Sequence, residues 1–465
     1  MSINNSNHTI CALATAPGGA LGIIRVSGSE AFSAVSAICS VRCHSVVANT
    51  AHYTHIRQGQ EIIDEVMVTV FRAPHSYTGE DSVEISCHGS RYILNKVLEL
   101  LVQQGCRMAR PGEFTMRAYL NGKLDLSQAE AVADLIAANN KATHDIAMSQ
   151  LRGHFSSELA QLRNQLLTLT SLLELELDFS DHEDLEFADR SELLALAHTI
   201  NDRITHLAKS FETGQALKKG IPVAIIGKTN VGKSTLLNAL LKDERAIVSD
   251  IHGTTRDTIE DTIDIQGITF RFIDTAGIRQ TTDEIEKIGI HRTYAAINKA
   301  RIVLWILDAE PTEEEVKEIS GRCKDKSLII IQNKIDQLEG EQVSYPSEAT
   351  EGRDNGNPLS SHLLKISAKY GQGLDILEAR IYAAANIPTL SDTDVIVTNA
   401  RHYDALLLAH DALQRILDGL HNNLSGDLLS EDLRQVLDNL SEITGGQITP
   451  QETLNNIFSH FCIGK

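Results

Sequence analysis

The sequence predicts a multidomain protein of mixed α/β and all-α structure, in which an N-terminal α+β domain is followed by a helical domain that an α/β domain interrupts. Three observations predict this organisation. The chain has 465 residues, which is more than one ordinary domain contains. Its hydrophobic fraction of 42% and charged fraction of 22% are those of a globular protein with several cores. The hydrophobic periodicity also changes along the chain between strand-like and helical patterns.

Short strand-like runs mark the N-terminal domain, which we place at residues 1–121. The runs LGIIRVSG, VMVTVF and SVEISCHG occur together with the helical stretch YILNKVLELLVQQG, a mixture typical of an α+β domain. The pattern then changes, and residues 122–216 form the first part of the helical domain. Glycine and proline are nearly absent there, and apolar residues recur every three or four positions in LAQLRNQLLTLTSLLELEL.

Strand-like runs alternate with helical segments in residues 217–386. The runs PVAIIG, ITFRFID, RIVLWILDA and SLIIIQNKID indicate a parallel sheet with helices on both faces. The polar segment 345–362 is expected to be an exposed loop. Residues 387–465 are again helical, as in HYDALLLAHDALQRILDGL, and form the second part of the helical domain. We expect the two helical parts to pack together.

The net charge of −20 argues against a protein that coats nucleic acid nonspecifically, because such binding relies on phosphate neutralisation by lysine and arginine. It leaves room for a local basic patch or for an RNA substrate presented by a partner. Seven scattered cysteines without CxxC spacing indicate reduced thiols. The first residues lack the apolar core of a secretory signal, and no apolar run is long enough to span a membrane. We therefore expect a cytoplasmic protein without a membrane partner.

The segment GKTNVGKST follows a strand-like run, precedes a helical one, and matches the phosphate-binding pattern G-x-x-x-x-G-K-[ST]. Its glycines let backbone N–H groups close around phosphate oxygens, and the next helix directs its N-terminus at the same charge. Lys233 would reach the β and γ phosphates, and the Ser234 hydroxyl would bind Mg²⁺. The predicted nucleotide-binding residues of this loop are Asn230, Val231, Gly232, Lys233, Ser234 and Thr235.

Three further motifs follow in the order that a guanine nucleotide site needs. DTAG would place Asp274 near Mg²⁺ and the Gly277 N–H at the γ-phosphate. In NKID, the Asp336 carboxylate can accept hydrogen bonds from N1–H and the exocyclic amine of guanine, a donor pair that adenine lacks, so this motif favours GTP over ATP. SAK lies where a loop behind the base belongs. These motifs add Asp274, Thr275, Ala276, Gly277, Asn333, Lys334, Asp336, Ser367, Ala368 and Lys369 to the predicted site.

Together with GTTRD, which supplies a switch threonine, these motifs resemble the translation-factor-related GTPases. The position after DTAG is Ile278, where Ras-type proteins carry the glutamine that orients the attacking water. Asn230 and the short loop SDIHGTT resemble those GTPases that bind K⁺ beside the phosphates in place of an arginine finger. Glu286 is a candidate for orienting water, and the alternative is a solvated residue in an acidic helical stretch. The loop adds Ser249, Asp250, Ile251, His252, Gly253, Thr254 and Thr255 to the predicted site.

Segments outside the nucleotide-binding domain carry a closer resemblance. GIIRVSG, YTGEDSVEISCHGS, RPGEFTMRAYLNGKLDLSQAEA and the terminal IFSHFCIGK are together similar to the MnmE (TrmE) family of tRNA-modification GTPases, and the similarity runs from Thr9 to Lys465. The resemblance implies a folate-binding-like N-terminal domain and a Ras-like G domain inserted into the helical domain. One loop departs from the family, since this chain reads PGGALGI where the family usually reads PGRGGVGI. The role of that loop stays open.

The resemblance also implies an activity, cofactors and partners. Members of the family work with an FAD-containing partner, MnmG, and install an aminomethyl or carboxymethylaminomethyl group on C5 of the wobble uridine of tRNA. The implied assembly is a homodimer that joins the MnmG-like protein in a heterotetramer or larger complex. The implied cofactors are GTP, Mg²⁺, K⁺ that stimulates hydrolysis, and 5-formyl- or methylene-tetrahydrofolate as one-carbon donor.

The family's site residues carry over by position. They are the Mg²⁺ ligands Ser234 and Thr255, the K⁺ ligands Asn230, Ser249, Ile251 and Thr254, the catalytic Glu286, and the folate contacts Arg25, Glu84, Lys123 and Lys465. Taken singly, each of the folate-contacting charges would more often be a surface charge or a local salt bridge. Glu80 lies in the same motif and is the alternative to Glu84.

Cys462 begins the last four residues, CIGK. Prenylation needs two aliphatic residues and a small or apolar last residue, which Gly464 and Lys465 do not provide. Two interpretations stay open: a catalytic thiolate that adds to C6 of the uridine and activates C5, or a small buried residue next to a folate-contacting Lys465. For the whole protein, the alternative to tRNA modification is a regulatory or ribosome-assembly GTPase switch, which would carry a basic RNA-binding module.

Overall fold

The computed structural model describes residues 8–178, 190–242, 261–273, 294–337, 363–387, 394–446, 451–459, 461–462 and 464. The chain divides into two compact units. Unit 1 contains Met1–Ala137, Ile146–Ala208 and Ala400–Lys465, and unit 2 contains Ala138–Asp145 and Lys209–Asn399. Unit 1 is therefore built from chain segments that lie on both sides of unit 2 in the sequence.

In the part of the chain that the structure describes, unit 1 begins with strands and two helices among them and continues with helices alone, whereas strands and helices are mixed along unit 2. The strands are β1 (Ile10–Leu13), β2 (Leu21–Ser27), β3 (Thr50–Gln58), β4 (Glu61–Phe71), β5 (Ser82–His88), β6 (Arg107–Met108), β7 (Ile221–Ile226), β8 (Asp261–Ile265), β9 (Ile268–Phe272), β10 (Ile302–Leu307), β11 (Ser327–Gln332) and β12 (Leu363–Lys365). The helices are α1 (Ala31–Ile38), α2 (Arg91–Gln103), α3 (Glu113–Leu120), α4 (Leu126–Ala137), α5 (Lys141–Leu151), α6 (His154–Asp178), α7 (Arg190–Lys219), α8 (Lys233–Lys242), α9 (Glu313–Arg322), α10 (Leu374–Ala384), α11 (Ala400–His421), α12 (Gly426–Thr444) and α13 (Gln451–Ser459).

The N-terminal part of unit 1 is a six-stranded sheet in the order β3-β4-β5-β2-β1-β6, antiparallel except for the pair β1 and β6. Helices α1 and α2 pack against it. In β4, Val66, Val68 and Val70 are buried in the core beneath these helices, while Glu65 and Met67 are exposed and Thr69 is half-buried. This period of two is typical of a sheet with one covered face.

Helices from both sides of unit 2 pack together in the rest of unit 1. Helix α12 lies against α11, α6 and α4. Its residues Leu429, Leu433, Val436, Leu440 and Ile443 recur every three or four positions and are buried, so they form one apolar stripe. Full burial of each such side chain contributes about 1.5–3 kcal/mol. None of the helices that the structure describes is long and apolar enough to cross a membrane.

Unit 2 contains a six-stranded sheet in the order β12-β11-β10-β7-β9-β8. Every residue of β10 is buried, as expected for a strand covered on both faces. The multidomain α/β and α prediction is confirmed, with one difference. Strands β8 and β9 are antiparallel, because Gln266 (φ +54°) and Gly267 (φ +82°) form a two-residue turn that reverses the chain directly.

Candidate functional site

The phosphate-binding loop lies at the carboxyl end of β7, the strand between β10 and β9. Gly227 has φ +148° and passes so close to β10 that a Cβ atom there would be 2.2 Å from the Ile306 carbonyl oxygen. Gly232 has φ +99°, and Asn230 also lies in the left-handed region at φ +63°. The loop therefore needs its glycines for both backbone conformation and close approach.

Lys233 begins α8, and its ammonium is directed into the loop. Nζ donates hydrogen bonds to the carbonyl oxygens of Gly227 at 2.8 Å and Lys228 at 2.6 Å. Burial lowers the pKa of Lys233 from its ordinary value. Ser234 follows in the first turn of α8, where backbone N–H groups are free of helical partners and favour an anion. The loop thus brings the Lys233 ammonium and the first turn of α8 together at the end of β7.

The buried Asn333 side chain ties three motifs together. Its Nδ2 donates to the Val231 carbonyl oxygen in the phosphate-binding loop at 2.9 Å, and its Oδ1 accepts from the Ala368 N–H in the SAK loop at 2.9 Å. A Cβ on Gly232 would lie 2.2 Å from Asn333 Nδ2, so the loop glycine also makes room for this side chain. The sequence assigned Asn333 to the nucleotide site, but it gave no signal that the residue braces two loops.

The predicted guanine-binding carboxylate is held by a hydroxyl group of the SAK motif. Ser367 Oγ donates to Asp336 Oδ1 at 2.6 Å and leaves the other carboxylate oxygen for a second donor. Lys334 adopts φ +64° next to Asn333, and the Lys369 ammonium lies 5.1 Å from the Tyr370 ring centroid. The motifs NKID and SAK meet because β11 and β12 are neighbouring parallel strands.

Sequence reasoning missed an ion pair at the entrance of the phosphate-binding loop. The exposed Lys228 ammonium lies 2.8 Å from Glu315 Oε1. Glu315 belongs to a capping box with Thr312 at the start of α9. The pattern TEEE after β10 was the available signal for this cap.

Several predicted residues lie outside the described part of the chain. They are Ser249, Asp250, Ile251, His252, Gly253, Thr254, Thr255, Asp274, Thr275, Ala276, Gly277, Glu286 and Lys465. Ile278 and the loop 345–362 also lie outside it. The structure thus describes the phosphate-binding loop and the base-binding motifs.

A second group of predicted residues meets in the N-terminal sheet of unit 1. Arg25 and Glu84 are direct cross-strand neighbours in β2 and β5. Arg25 donates from Nε and Nη2 to Glu84 Oε1, at 2.9 Å and 2.8 Å. The guanidinium also lies 5.4 Å from the Tyr77 ring centroid and 5.6 Å from that of Phe114. This arrangement fixes a partly exposed positive charge between two aromatic rings.

A cavity of about 60 Å³ adjoins this ion pair. Its lining residues are Arg25, Phe71, Tyr77, Thr78, Ser82 and Glu84. Burial raises the pKa of Tyr77, whose hydroxyl hydrogen-bonds with Thr115 at 2.8 Å. The alternative acid, Glu80, pairs instead with Arg117 at 2.9 Å and accepts from Ser27 at 2.8 Å. Glu84 is therefore the acid of this motif that lines the cavity.

The C-terminal residues come back to the same region. Arg25 Nη1 donates to the Gly464 carbonyl oxygen at 3.5 Å, and the Gly112 N–H donates to the Cys462 carbonyl oxygen at 3.3 Å. Cys462 is exposed, whereas Phe461 is buried in a cluster with Phe458 and Leu126. Lys123, the remaining predicted folate contact, is exposed and donates from Nζ to the Pro74 carbonyl oxygen at 3.0 Å.

Comparisons with known proteins identify the family of this chain. The model of the family described as "MnmE helical domain" matches residues 126–462, and that of "GTP-binding protein TrmE N-terminus" matches residues 9–123. A tRNA modification GTPase MnmE from Bacteroides thetaiotaomicron is 54% identical, with 99% of this chain and 100% of that protein covered. Proteins of the same name from Porphyromonas gingivalis (50% identical, 100% of both chains covered) and Flavobacterium johnsoniae (49% identical, 99% and 100% covered) are also similar. The chain belongs to the MnmE family.

Proposed function

We propose that this protein is a GTP hydrolase that takes part in tRNA modification. The observation that carries the proposal is the convergence of the phosphate-binding loop, Asn333 and the Asp336–Ser367 pair at the carboxyl ends of parallel strands β7, β11 and β12. Ligands of open α/β sheets bind at this edge. The relatives named tRNA modification GTPase, which match over the full chain, supply the tRNA substrate class.

Hydrolysis requires positive charge at the phosphates and a fixed base. Lys233 would leave the two loop carbonyls that it now contacts and meet the β and γ phosphate oxygens. Asp336 would accept the guanine N1–H and amine hydrogens while Ser367 holds its orientation. Asn333 would hold the phosphate-binding loop and the SAK loop in fixed positions relative to each other, because its side chain hydrogen-bonds to both. Glu286 is proposed to orient the attacking water.

The oxygen donors of the loop suit the two proposed cations. Ser234 offers a hydroxyl in the first turn of α8, and Asn230 offers an amide oxygen from a left-handed turn in the phosphate-binding loop. Ser234 and Thr255 would hold Mg²⁺, and Asn230, Ser249, Ile251 and Thr254 would hold K⁺. When bound, these cations supply the positive charge that offsets charge development on the phosphate oxygens.

The uridine chemistry is proposed to use the N-terminal sheet of unit 1. Arg25 and Glu84 line the cavity there, and the Gly464 carbonyl reaches Arg25, which supports a tetrahydrofolate site that includes Lys123 and Lys465. The exposure of Cys462 supports its interpretation as a uridine-activating thiol over that of a buried structural residue. The protein would act as a cytoplasmic homodimer with an FAD-containing MnmG-like partner, on the wobble uridine.

Mass spectrometry of tRNA nucleosides tests this proposal. Cells that lack the gene should lose the aminomethyl-type wobble uridines, and the wild-type gene should restore them. A Lys233→Ala copy should fail to restore them while the protein is present at normal level. Unchanged wobble uridines in the deletion strain would contradict the proposal and would favour a regulatory or ribosome-assembly GTPase switch, for which altered ribosome profiles are the positive readout.

A further inference from the structure

Two cysteines outside both sites form a compact thiol pair in the N-terminal part of unit 1. Cys39 ends α1, and Cys43 follows four residues later. Both sulfur atoms approach the same acceptor, the Val41 carbonyl oxygen, which lies 3.6 Å from Cys39 Sγ and 4.0 Å from Cys43 Sγ. Cys39 and Cys43 thus share one hydrogen-bond acceptor. The short loop between them therefore brings both thiols to the same carbonyl group.

A fixed positive charge lies beside this pair. Arg72 Nη2 donates to the carbonyl oxygens of Cys43 at 3.3 Å, His44 at 2.9 Å and Val46 at 2.9 Å. The guanidinium is itself held 5.1 Å from the Phe32 ring centroid. A cation in this position favours a thiolate, which is the reactive form of cysteine.

The two thiols differ in exposure and in acidity. Cys43 is fully buried and Cys39 is partly exposed. The neighbouring Cys39 thiol and the Arg72 charge lower the pKa of Cys43 to about 7, while the Cys43 thiol and burial raise the pKa of Cys39. Cys87, which is also buried, shows the opposite effect, since burial raises its pKa to about 12. The lower pKa favours Cys43 as the nucleophile and Cys39, the partly exposed thiol, as the resolving residue.

We propose that Cys39 and Cys43 are a redox-active dithiol that a hydroperoxide converts to an intramolecular disulfide. In the first step, the Cys43 thiolate attacks one peroxide oxygen, the O–O bond breaks, and the products are a sulfenic acid and, after protonation, one water. In the second step, Cys39 sulfur attacks the Cys43 sulfur, the S–O bond breaks, and the Cys39 proton leaves with the hydroxide as a second water. The two thiols lose two electrons, and hydrogen peroxide gains them.

The sequence offers a direct readout, because trypsin cleaves after Arg42, between the two cysteines. Cys39 then lies in the peptide 26–42 and Cys43 in the peptide 43–57, each as its one cysteine. The full-length reduced protein would be treated with graded hydrogen peroxide, quenched with catalase, alkylated after denaturation and digested. We expect the two peptides to be joined, two hydrogens lighter than their sum, and separable by dithiothreitol. At pH 7.4 this oxidation should be at least about tenfold faster than oxidation of Cys87.

Single substitutions separate the roles of the two thiols. Cys39→Ser should leave Cys43 as a sulfenic acid that dimedone traps, and Cys43→Ser should leave Cys39 as resistant to peroxide as Cys87. Circular dichroism of each variant confirms that the domain is folded. Recovery of both peptides as alkylated thiols at peroxide doses that oxidise the exposed Cys462 would overturn the proposal. Unchanged oxidation of Cys39 in Cys43→Ser would also overturn it.

Discussion

Glu130, which is buried, and Arg401, which is half-buried, form an ion pair between residues that are 271 positions apart in the chain. Glu130 Oε1 accepts from Arg401 Nε and Glu130 Oε2 from Arg401 Nη2, both at 3.0 Å. The same carboxylate lies 2.6 Å from His402 Nε2, and Arg401 also donates to the carbonyl oxygens of Glu442 and Ile443. The pair thus joins α4 to α11 and to the end of α12.

Removing this carboxylate is expected to destabilise unit 1. Glu130→Ala leaves Arg401 without its acidic partner in a largely buried position, so the free energy of unfolding should fall by about 3–5 kcal/mol. Urea unfolding followed by circular dichroism measures the change. The matched control is Glu431→Ala in α12, where the side chain is exposed and 3.9 Å from Arg434, and where we expect a loss below about 1 kcal/mol. Equal losses in the two variants would contradict the structural role of Glu130.

Acid should weaken the same contact. Burial alone would raise the pKa of the Glu130 carboxyl, but the His402 hydrogen bond and the Arg401 charge hold it below its ordinary value. A carboxyl whose pKa is lower in the folded state contributes stability above its unfolded pKa of about 4.3, and this contribution is lost as the pH falls through the folded value. Stability of the wild type should therefore drop more steeply below about pH 4 than that of Glu130→Gln. Parallel pH curves for the two proteins would contradict this assignment.

Loss of the Asn333 brace should weaken GTP binding. Asn333→Ala removes two buried hydrogen bonds, each worth about 1 kcal/mol, so we expect roughly 10- to 100-fold weaker binding. Titration with a fluorescent GTP analogue measures the affinity. Asn298→Ala, at an exposed position of the same unit, should bind like the wild type. Wild-type affinity in Asn333→Ala would show that the two loops hold their positions without this side chain.

Potassium dependence tests the proposed cation site. Replacing NaCl by KCl should raise GTP hydrolysis about tenfold or more, which corresponds to roughly 1.4 kcal/mol in the barrier. Asn230→Ala should abolish the difference between the salts, because it removes one K⁺ ligand. Glu286→Ala should slow hydrolysis in KCl with nucleotide binding nearly intact. Equal rates of GTP hydrolysis by the wild type in both salts would contradict K⁺-stimulated hydrolysis.

The Arg25 charge should govern folate binding. Arg25→Ala removes charge-assisted hydrogen bonds worth about 1.5–3 kcal/mol, so binding of 5-formyl-tetrahydrofolate should weaken roughly 10- to 150-fold in isothermal titration calorimetry. Arg25→Lys should recover little of the lost folate affinity, since an ammonium lacks the planar, two-pronged hydrogen-bonding geometry of a guanidinium. Arg57→Ala, at an exposed position of β3, is the control. Unaltered affinity in Arg25→Ala would place the folate site elsewhere.

Local patterns were sufficient to predict the strand and the helix that flank the phosphate-binding loop. The phosphate-binding loop is contiguous in sequence, and its strand and helix flank it directly, so motif and periodicity identify β7 and α8 together. The buried apolar runs likewise identify β10 and β11. Strand β6 has two residues, which is too short for any periodicity to appear, and it is defined only by pairing with β1.

Contacts between residues that are distant in the chain could not be predicted from the sequence. Arg25 and Glu84 become neighbours through the register of β2 and β5, 59 positions apart, and this register depends on the order of strands in the sheet. The brace at Asn333 depends in the same way on the adjacency of β7, β10, β11 and β12. Such contacts follow from topology, which hydrophobic periodicity does not encode.

The ion pair between Glu130 and Arg401 has a consequence for biosynthesis. Ribosomes add about 5–20 residues per second, so roughly 15–50 s separate the synthesis of these two residues. During that interval helix α4 exists without its basic partner, and the apolar stripe of α12 that will cover α6 has not been made. Unit 1 therefore completes its folding only after the ribosome has made unit 2.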